Sequence, residues 1–484
     1  MFPLNALRLA LLGICPLFAI LPAQQDSTVF HAGSHLVEVQ VVVRDKNSPV
    51  TGLTQSDFTL LDQDKPQRIA SFHEISDTGS APRTLPPGAV SNRTDNRGQA
   101  LDGATVILLD QLNTRFDLKG YERTQMIKLL RSLAATDRIA LYVLGKNLHI
   151  LQDFTDDPRK LIETVARMDQ GLDLLPTDFD DLVQETSDGP PDDSSKRMAS
   201  VESRVYADIH DHITIQALSR IMLHLSGVPG RRNLVWLKEQ PLIPPQVMGM
   251  AQQANVNLYP VLVRTVLFSI PDIFLLQHMV DDVGRATGGA GFADAGDLAT
   301  AVRTAEEDSR SAYVLAYYPP EETLDGRFHR IAVKLADRNL QLRYRPGYLA
   351  TKTAVPVPLQ PDEDLFANPL DLTGIGLTAQ LRPDPSHPER SQAHVTVDLH
   401  DIHLEPRNGR LSGAFKLSLL VPASHSVRSW TFPVDLAESQ LASALETGYA
   451  VNASGLERHA ADLRVVVRDL ATGLTGSLRI PAAK

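Results

Sequence analysis

Ala104-Thr105-Val106-Ile107-Leu108-Leu109-Asp110-Gln111-Leu112-Asn113-Thr114 is the stretch on which the fold turns. From Ala104 to Leu109 the run is almost wholly apolar, without the polar alternation of a strand that has one wet face. Such a run predicts a strand covered on both sides, as in a parallel sheet. The abrupt change to Asp110, Gln111, Asn113 and Thr114 marks the end of that strand, where ligand sites of open parallel sheets lie.

Reading outward, apolar strand runs alternate with helical periods. Ile127, Leu130, Leu133 and Ala134 mark the inner face of a helix, and Ile139 to Leu144 is a second strand. Leu148 to Leu151 is a short edge strand. Asp157-Pro158 then opens a helix with Leu161, Ile162, Val165 and Ala166 inward, the Asp capping and the Pro fitting the first turn. Ile213, Ala217, Ile221 and Leu225 recur at steps of four in a long helix closed by Gly227 and Pro229. Strands follow at Asn233–Leu237, Val256–Val263 and Tyr313–Tyr318, with helices near 272–287 and 296–308 divided by Gly288-Gly289. Ile331–Leu335 and Leu340–Tyr344 have the look of a closing hairpin. This alternation predicts an α/β domain over 103–350, an open and mostly parallel sheet flanked by helices.

The flanks differ in pattern. Residues 35–75 alternate in Leu36-Val37-Glu38-Val39-Gln40-Val41, with a hairpin-like pair at Phe58–Leu61 and Ile69–Phe72, and predict a small β unit. Residues 76–102 and 351–370 are linkers by their Pro, Gly and Ser content. Over 371–484 short runs such as Ala393–Leu399, Ala414–Val421, Ser429–Val434 and Leu463–Val467 between turns predict an all-β sandwich. Val41–Asp45 and Val465–Asp469 share Val-Val-Val-Arg-Asp. Chance and a duplicated strand unit both account for so short an echo.

With 484 residues and 43% apolar content, the chain exceeds the roughly 250–300 residues at which one core stops growing, so several domains are expected. Its 58 acidic and 47 basic residues leave a net charge of −11. No block of Lys and Arg could track a phosphate backbone, which argues against nucleic acid as partner. Arg8, the apolar run Leu9 to Leu21 and then Pro22-Ala23-Gln24-Gln25 have the order of a signal peptide over 1–23. That run is shorter than the roughly 20 residues needed to cross a bilayer and Pro16 interrupts it. The expectation is export to periplasm, cell surface or medium, without a transmembrane span in the mature chain. Cys15 is the only cysteine, so a chain cut after Ala23 has neither disulfide nor thiolate chemistry.

The common catalytic signatures do not occur: no G-x-S-x-G elbow, phosphate loop, H-E-x-x-H helix or EF-hand. His210 and His212, flanked by Asp208 and Asp211, form the densest His group and read as a solvated helix start rather than a metal site. An acidic insertion over 169–203 holds Asp173, Asp178, Asp180, Asp181 and Glu185 among others. It is either a solvated loop or an acidic lip for a basic partner.

Several ordered stretches carry a family resemblance. They are Val39–Asp45 through Pro49-Val50-Thr51-Gly52-Leu53-Thr54 to Asp57-Phe58; Ile107–Asp110 with Asn113-Thr114; Gly230–Leu237; and Tyr313-Val314-Leu315 with Tyr317-Tyr318-Pro319 and Arg343–Tyr348. Together they resemble the von Willebrand factor A-related proteins exported by bacteria, acidobacteria in particular. The resemblance implies a von Willebrand factor A-like sheet and a divalent-cation site written Asp-x-Ser-x-Ser, completed by a later Thr and a later Asp. Such a site suits Mg²⁺ or Mn²⁺, hard ions that prefer oxygen ligands.

On this chain Asp110 takes the first position and Thr114 the third, while Leu112, which cannot coordinate, takes the second. Glu239 stands where the late Asp falls, beside Lys238; Thr177 and Thr186 are candidates for the later Thr. The resemblance therefore implies a metal set of Asp110, Thr114 and Glu239, and a binding face of Asp110, Asn113, Thr114 and Glu239. Three roles for Asp110 stay open: metal ligand, part of a metal-free polar face, or a cap bonding loop backbone N–H groups. The expected function is non-enzymatic binding of a protein partner or of the envelope through the strand-end loops. A structural role in envelope assembly and a hydrolase are the alternatives.

Overall fold

The computed structural model describes residues 36–46, 48–75, 85–93, 103–114, 116–131, 139–155, 157–166, 193–263, 270–320, 323–337, 339–350, 362–407, 409–421, 426–457 and 463–481. The expected signal peptide 1–23, Leu133 and Ala134, and the insertion up to 192 with Thr177 and Thr186 lie outside them.

The central domain is built on five strands: β1 (Gly103–Asp110), β2 (Ile139–Leu144), β3 (Leu148–Thr155), β4 (Arg231–Lys238) and β5 (Val256–Leu262). Their order is β5-β4-β1-β2-β3, with β3 alone antiparallel to its neighbour. Among the described residues the helices that flank them are α1 (Phe116–Leu130), α2 (Pro158–Ala166), α3 (Asp193–Leu225), α4 (Pro245–Gln253), α5 (Ile270–Thr287) and α6 (Leu298–Arg310).

The apolar run of β1 is explained by the two layers. Val106 and Leu108 join one core with Ala217, Leu218 and Ile221 of α3 and Val247 and Ala251 of α4. Ile107 and Leu109 join another, with Leu118, Met126 and Leu129 of α1, Leu161 and Val165 of α2 and Val302 of α6. A strand buried on both faces alternates between two cores instead of between core and water. At the Gly288-Gly289 break the first residue has φ +90°, and a Cβ on the second would lie 2.0 Å from the carbonyl oxygen of Leu258. Glycine thus lets the end of α5 approach β5.

The N-terminal β unit is larger than residues 35–75. Val37–Asp45 pairs antiparallel with Ala312–Tyr317, which also pairs with Ser71–Glu74, while Gln341–Arg343 lines up beside Val42–Arg44. A second sheet joins Phe58–Asp62 to Phe328–Leu335 and Lys65–Gln67. Their facing sides enclose Val39, Val41, Leu60, Tyr313, Leu315 and Ile331.

Chain beyond the central domain therefore completes this unit, and 312–350 falls outside the α/β sheet expected to reach residue 350. Ala312–Tyr317 is buried throughout, and a run covered on both faces reads alike whether its neighbours are parallel or antiparallel. Ile331–Leu335 and Leu340–Tyr344 form no hairpin, because their partners lie in different sheets.

The C-terminal part is a sandwich. One sheet has the order Tyr449–Glu457, Arg390–Val397, Leu377–Pro383 and Val90–Ser91; the other holds Arg410–Val421 between Ser426–Ala437 and Leu463–Asp469, with Thr475–Ile480 at its edge. Val90–Ser91 comes from the stretch expected to be a linker. It is fastened by the buried Asn92, whose amide N–H groups reach the carbonyls of Leu372 and Ile375, both at 2.7 Å. The linker expected at 351–370 includes a short helix, Asp362–Ala367, with Leu365 packed on Leu223, Leu372 and Val466. Among the described residues no helix is long and apolar enough to cross a membrane.

Candidate functional site

Parallel register decides what surrounds Asp110. Trp236 pairs with Leu108 and Leu237 with Leu109, so the next residues along the two strands, Lys238 and Asp110, arrive together at the strand ends. Side chains two apart on a strand share a face, which puts Trp236 and Lys238 on the side of Leu108 and Asp110.

Asp110 is fully buried. Its Oδ1 accepts from the backbone N–H of Asn113 at 3.1 Å, and both its oxygens accept from the Asn113 amide at 2.9 Å. Oδ2 also accepts from the indole N–H of Trp236 at 3.2 Å. Asn113 in turn donates to the Thr214 hydroxyl of α3 at 3.0 Å. The Thr114 hydroxyl donates to the Asp110 carbonyl at 2.6 Å and to Glu122 of α1 at 3.1 Å, and Gln111 donates to the other oxygen of Glu122. The leucine in the expected hydroxyl position, Leu112, packs in the core with Leu108 and Leu144.

Lys238 extends under this loop. Its Nζ donates to the Leu242 carbonyl at 2.6 Å and stands 4.1 Å from the centre of the Trp236 ring, a cation–π placement. Burial holds Lys238 down to about 8, against the opposing pull of the Asp110 charge. Burial likewise pushes Asp110 up, offset by Asn113, Lys238 and Trp236. For Glu122 burial pushes the carboxyl well above the usual carboxylate range, helped by the charges of Asp110 and Glu239. A buried site with two carboxyls and one ammonium is neutral when Glu122 holds its proton, the arrangement that burial favours.

Of the expected binding residues, Asp110 and Thr114 have no surface, and Asn113 and Glu239 have part of theirs. Asp110 bonds loop backbone and side-chain N–H groups as a cap does. The set Asp110, Thr114 and Glu239 does not fit a hard divalent ion. Mg²⁺ and Mn²⁺ need oxygen lone pairs, and here both Asp110 oxygens are taken by N–H donors, the second position is aliphatic and the Lys238 ammonium lies close by. Among the described residues no group of three or more His, Asp or Glu is placed to hold a metal. Glu122 escaped the sequence reading, although Leu118, Glu122 and Met126 at steps of four put an acid on a buried helical stripe.

Around this capped loop the surface changes character. Between Arg204 and His212 every described side chain of α3 except His210 is exposed, and burial begins at Thr214. The helix of 33 residues, about 50 Å long, therefore runs on past the strand ends with Val205 and Ile209 half exposed. On the neighbouring chain segments Leu242 is 73% exposed, Phe274 66% and Leu275 61%. These follow the ends of β4 and β5, on the same rim.

No family model matches the chain, and no curated protein matches it. Solved structures with a likeness include an aerotolerance-related membrane protein from Bacteroides fragilis, 12% identical over 42% of this chain and 98% of that one, TM-score 0.25. BatB from Bacteroides thetaiotaomicron is 12% identical over 42% of this chain and 96% of that one, TM-score 0.24. A von Willebrand factor type A protein from Catenulispora acidiphila is 10% identical over 91% and 75%, TM-score 0.26. The strand order itself carries the assignment: third, second, first, fourth, fifth, with an antiparallel third strand and helices on both faces, so the central domain has a von Willebrand factor A-like fold.

Proposed function

We propose that this chain is an exported, non-enzymatic binding protein that meets a protein or envelope partner on the strand-end rim of its central domain. The observation that carries the reading is the exposed stretch of α3 from Arg204 to His212. Helices in water draw most of their stability from packing an apolar face, yet Val205 and Ile209 leave 50% and 47% of their surface exposed, and Leu242, Phe274 and Leu275 are further exposed apolar side chains on the segments that follow β4 and β5. Asp208 and Asp211 are exposed on the same helix, so the rim suits a partner that offers apolar side chains and basic charge. Attraction to those acids falls in salt, because exposed charges are screened beyond about 8–10 Å. The likeness to exported bacterial von Willebrand factor A-related proteins and the signal-peptide pattern of residues 1–23 fit the same reading.

Asp110 and Glu122 are two acids with raised pKa, the kind of pair a hydrolase uses. Both are fully covered. Burial is the leading cause of both shifts, and acids that no substrate can reach do not call for hydrolysis.

The test is photo-crosslinking of the full protein in its own cell envelope, comparing wild type with Ile209→Asp, Leu242→Asp and Phe274→Asp. The expected result is loss of the wild-type partners at unchanged expression. Equal recovery of the same partners would sink the rim, and would leave structural envelope assembly as the better reading.

A further inference from the structure

We infer that Lys238 is the resident cation of the strand-end site, an internal ammonium in the place where this fold would otherwise seat a divalent metal, so that the loop Asp110–Thr114 is set without any ion from solution. Four observations meet at this point. In the parallel register Lys238 follows Leu237, the partner of Leu109, and so reaches the strand ends beside Asp110. It is almost completely buried, as are Trp236 and Asp110. Its Nζ is held from two sides, by the Leu242 carbonyl at 2.6 Å and by the Trp236 ring at 4.1 Å. The same indole passes its N–H to Asp110 Oδ2 at 3.2 Å, so one aromatic ring links cation to carboxylate.

A buried carboxylate needs an opposite charge close by. Lys238 and Asp110 form no direct salt bridge; they act on each other electrostatically across the Trp236 ring that both of them touch. Leu112 completes the exchange: with the positive charge fixed on a side chain, the position that would donate a hydroxyl to a metal instead packs beside Leu108 and Leu144. A permanently formed loop differs functionally from an ion-gated one. Whatever the rim binds, it binds in chelator as well as in Mg²⁺. The inference concerns how the loop is set and does not depend on who the partner is.

Thermal unfolding of the full chain tests it, with Mg²⁺, Mn²⁺ and EDTA in turn, on wild type, Lys238→Met, Asp110→Asn and the double variant. We expect the wild-type Tm to stay within 1 °C in all three solutions. We also expect the Tm loss caused by Lys238→Met to be at least halved in the Asp110→Asn background, because the ammonium no longer has a charge to balance. Should Lys238→Met not fold alone, recovery of folding in the double variant is the same result. The chain has two tryptophans, so a Trp430→Phe background makes Trp236 emission a direct reporter: Lys238→Met should shift it and Mg²⁺ should not. A Tm rise of several degrees with Mg²⁺ or Mn²⁺ that Asp110→Asn abolishes overturns the inference, as do strictly additive Tm losses or a double variant that fails to fold. A failed crosslinking experiment at the rim would leave all of these readings unchanged.

Discussion

The indole N–H of Trp236 donates to Oδ2 of Asp110 at 3.2 Å, joining β4 to the loop that leaves β1. With the Asn113 bonds it completes the set of donors that oppose the burial penalty on the Asp110 charge. Trp236→Phe removes the donor and keeps an aromatic ring beneath Lys238. A hydrogen bond to a charged group contributes about 1.5–3 kcal/mol, so urea unfolding should show a loss in that range. In an Asp110→Asn background the same substitution should cost clearly less. Equal costs in the two backgrounds would show that the indole supports the fold by bulk alone.

Glu122 titrates in the opposite sense to a paired surface acid. Its folded pKa lies well above the usual carboxylate value because burial disfavours the charge. Between the unfolded and the folded pKa the native state binds more protons than the unfolded one, so stability falls as pH rises through that window. Glu122→Gln deletes this slope. Relative to wild type, the variant should gain stability between pH 4.5 and pH 7, a range in which Lys238, held down to about 8, keeps its charge. Unfolding curves at the two pH values measure the difference, and an identical gap at both would refute the assignment of a proton to Glu122.

How far the fold was legible depends on whether the informative contact was local. The apolar run of β1, the stripe Ala217, Ile221 and Leu225, and the helix opened by Asp157-Pro158 were all readable, since strand and helix periods are written within a few residues. Pairing across the chain was not. Nothing in Val37–Asp45 says that its partner begins at Ala312, and Val90–Ser91 is too short to show a period. For the site, the polar cluster was visible but its depth was not. The sequence left Asp110 open as metal ligand, polar face or loop cap, and only the register that delivers Trp236 and Lys238 shows why it is buried.

The β unit is tied to the central domain through one buried acid. Asp308 of α6 accepts from Arg44 at 2.8 Å and from Arg343 at 2.5 Å, both from strands of the β unit, and from the Tyr259 hydroxyl of β5 at 2.8 Å. Removing one member of a buried ion pair costs about 3–5 kcal/mol because the other charge stays buried. Asp308→Ala should lose that much in urea unfolding. The exposed pair Arg330 and Asp64 is the control, where Arg330→Ala should cost below about 1 kcal/mol. A similar small loss for both would mean that the junction is held by apolar packing and not by its charges.

The opposite junction, between the central domain and the sandwich, depends on a residue with no side chain. Gly227 donates its N–H to the Thr373 hydroxyl at 2.9 Å and accepts from the Arg93 guanidinium at 2.8 Å, while His224 one turn earlier bonds the Asp371 carbonyl at 2.5 Å. A Cβ on Gly227 would sit 1.8 Å from the Thr373 carbonyl oxygen, a backbone atom that cannot swing aside as a flexible side chain would. Gly227→Ala therefore has to push the sandwich away from the end of α3, and overpacking of this kind costs about 1–3 kcal/mol. Because the contact lies at the edge of the two cores, through Val228 on one side and Ile375 on the other, the change should be greatest there: faster amide exchange at Gly227, Val228 and the 371–375 segment, with β1, β4 and the strand Leu463–Asp469 protected as in wild type. Unchanged exchange along that segment, together with an unchanged Tm, would mean that the two domains meet less tightly than the Gly227–Thr373 contact requires.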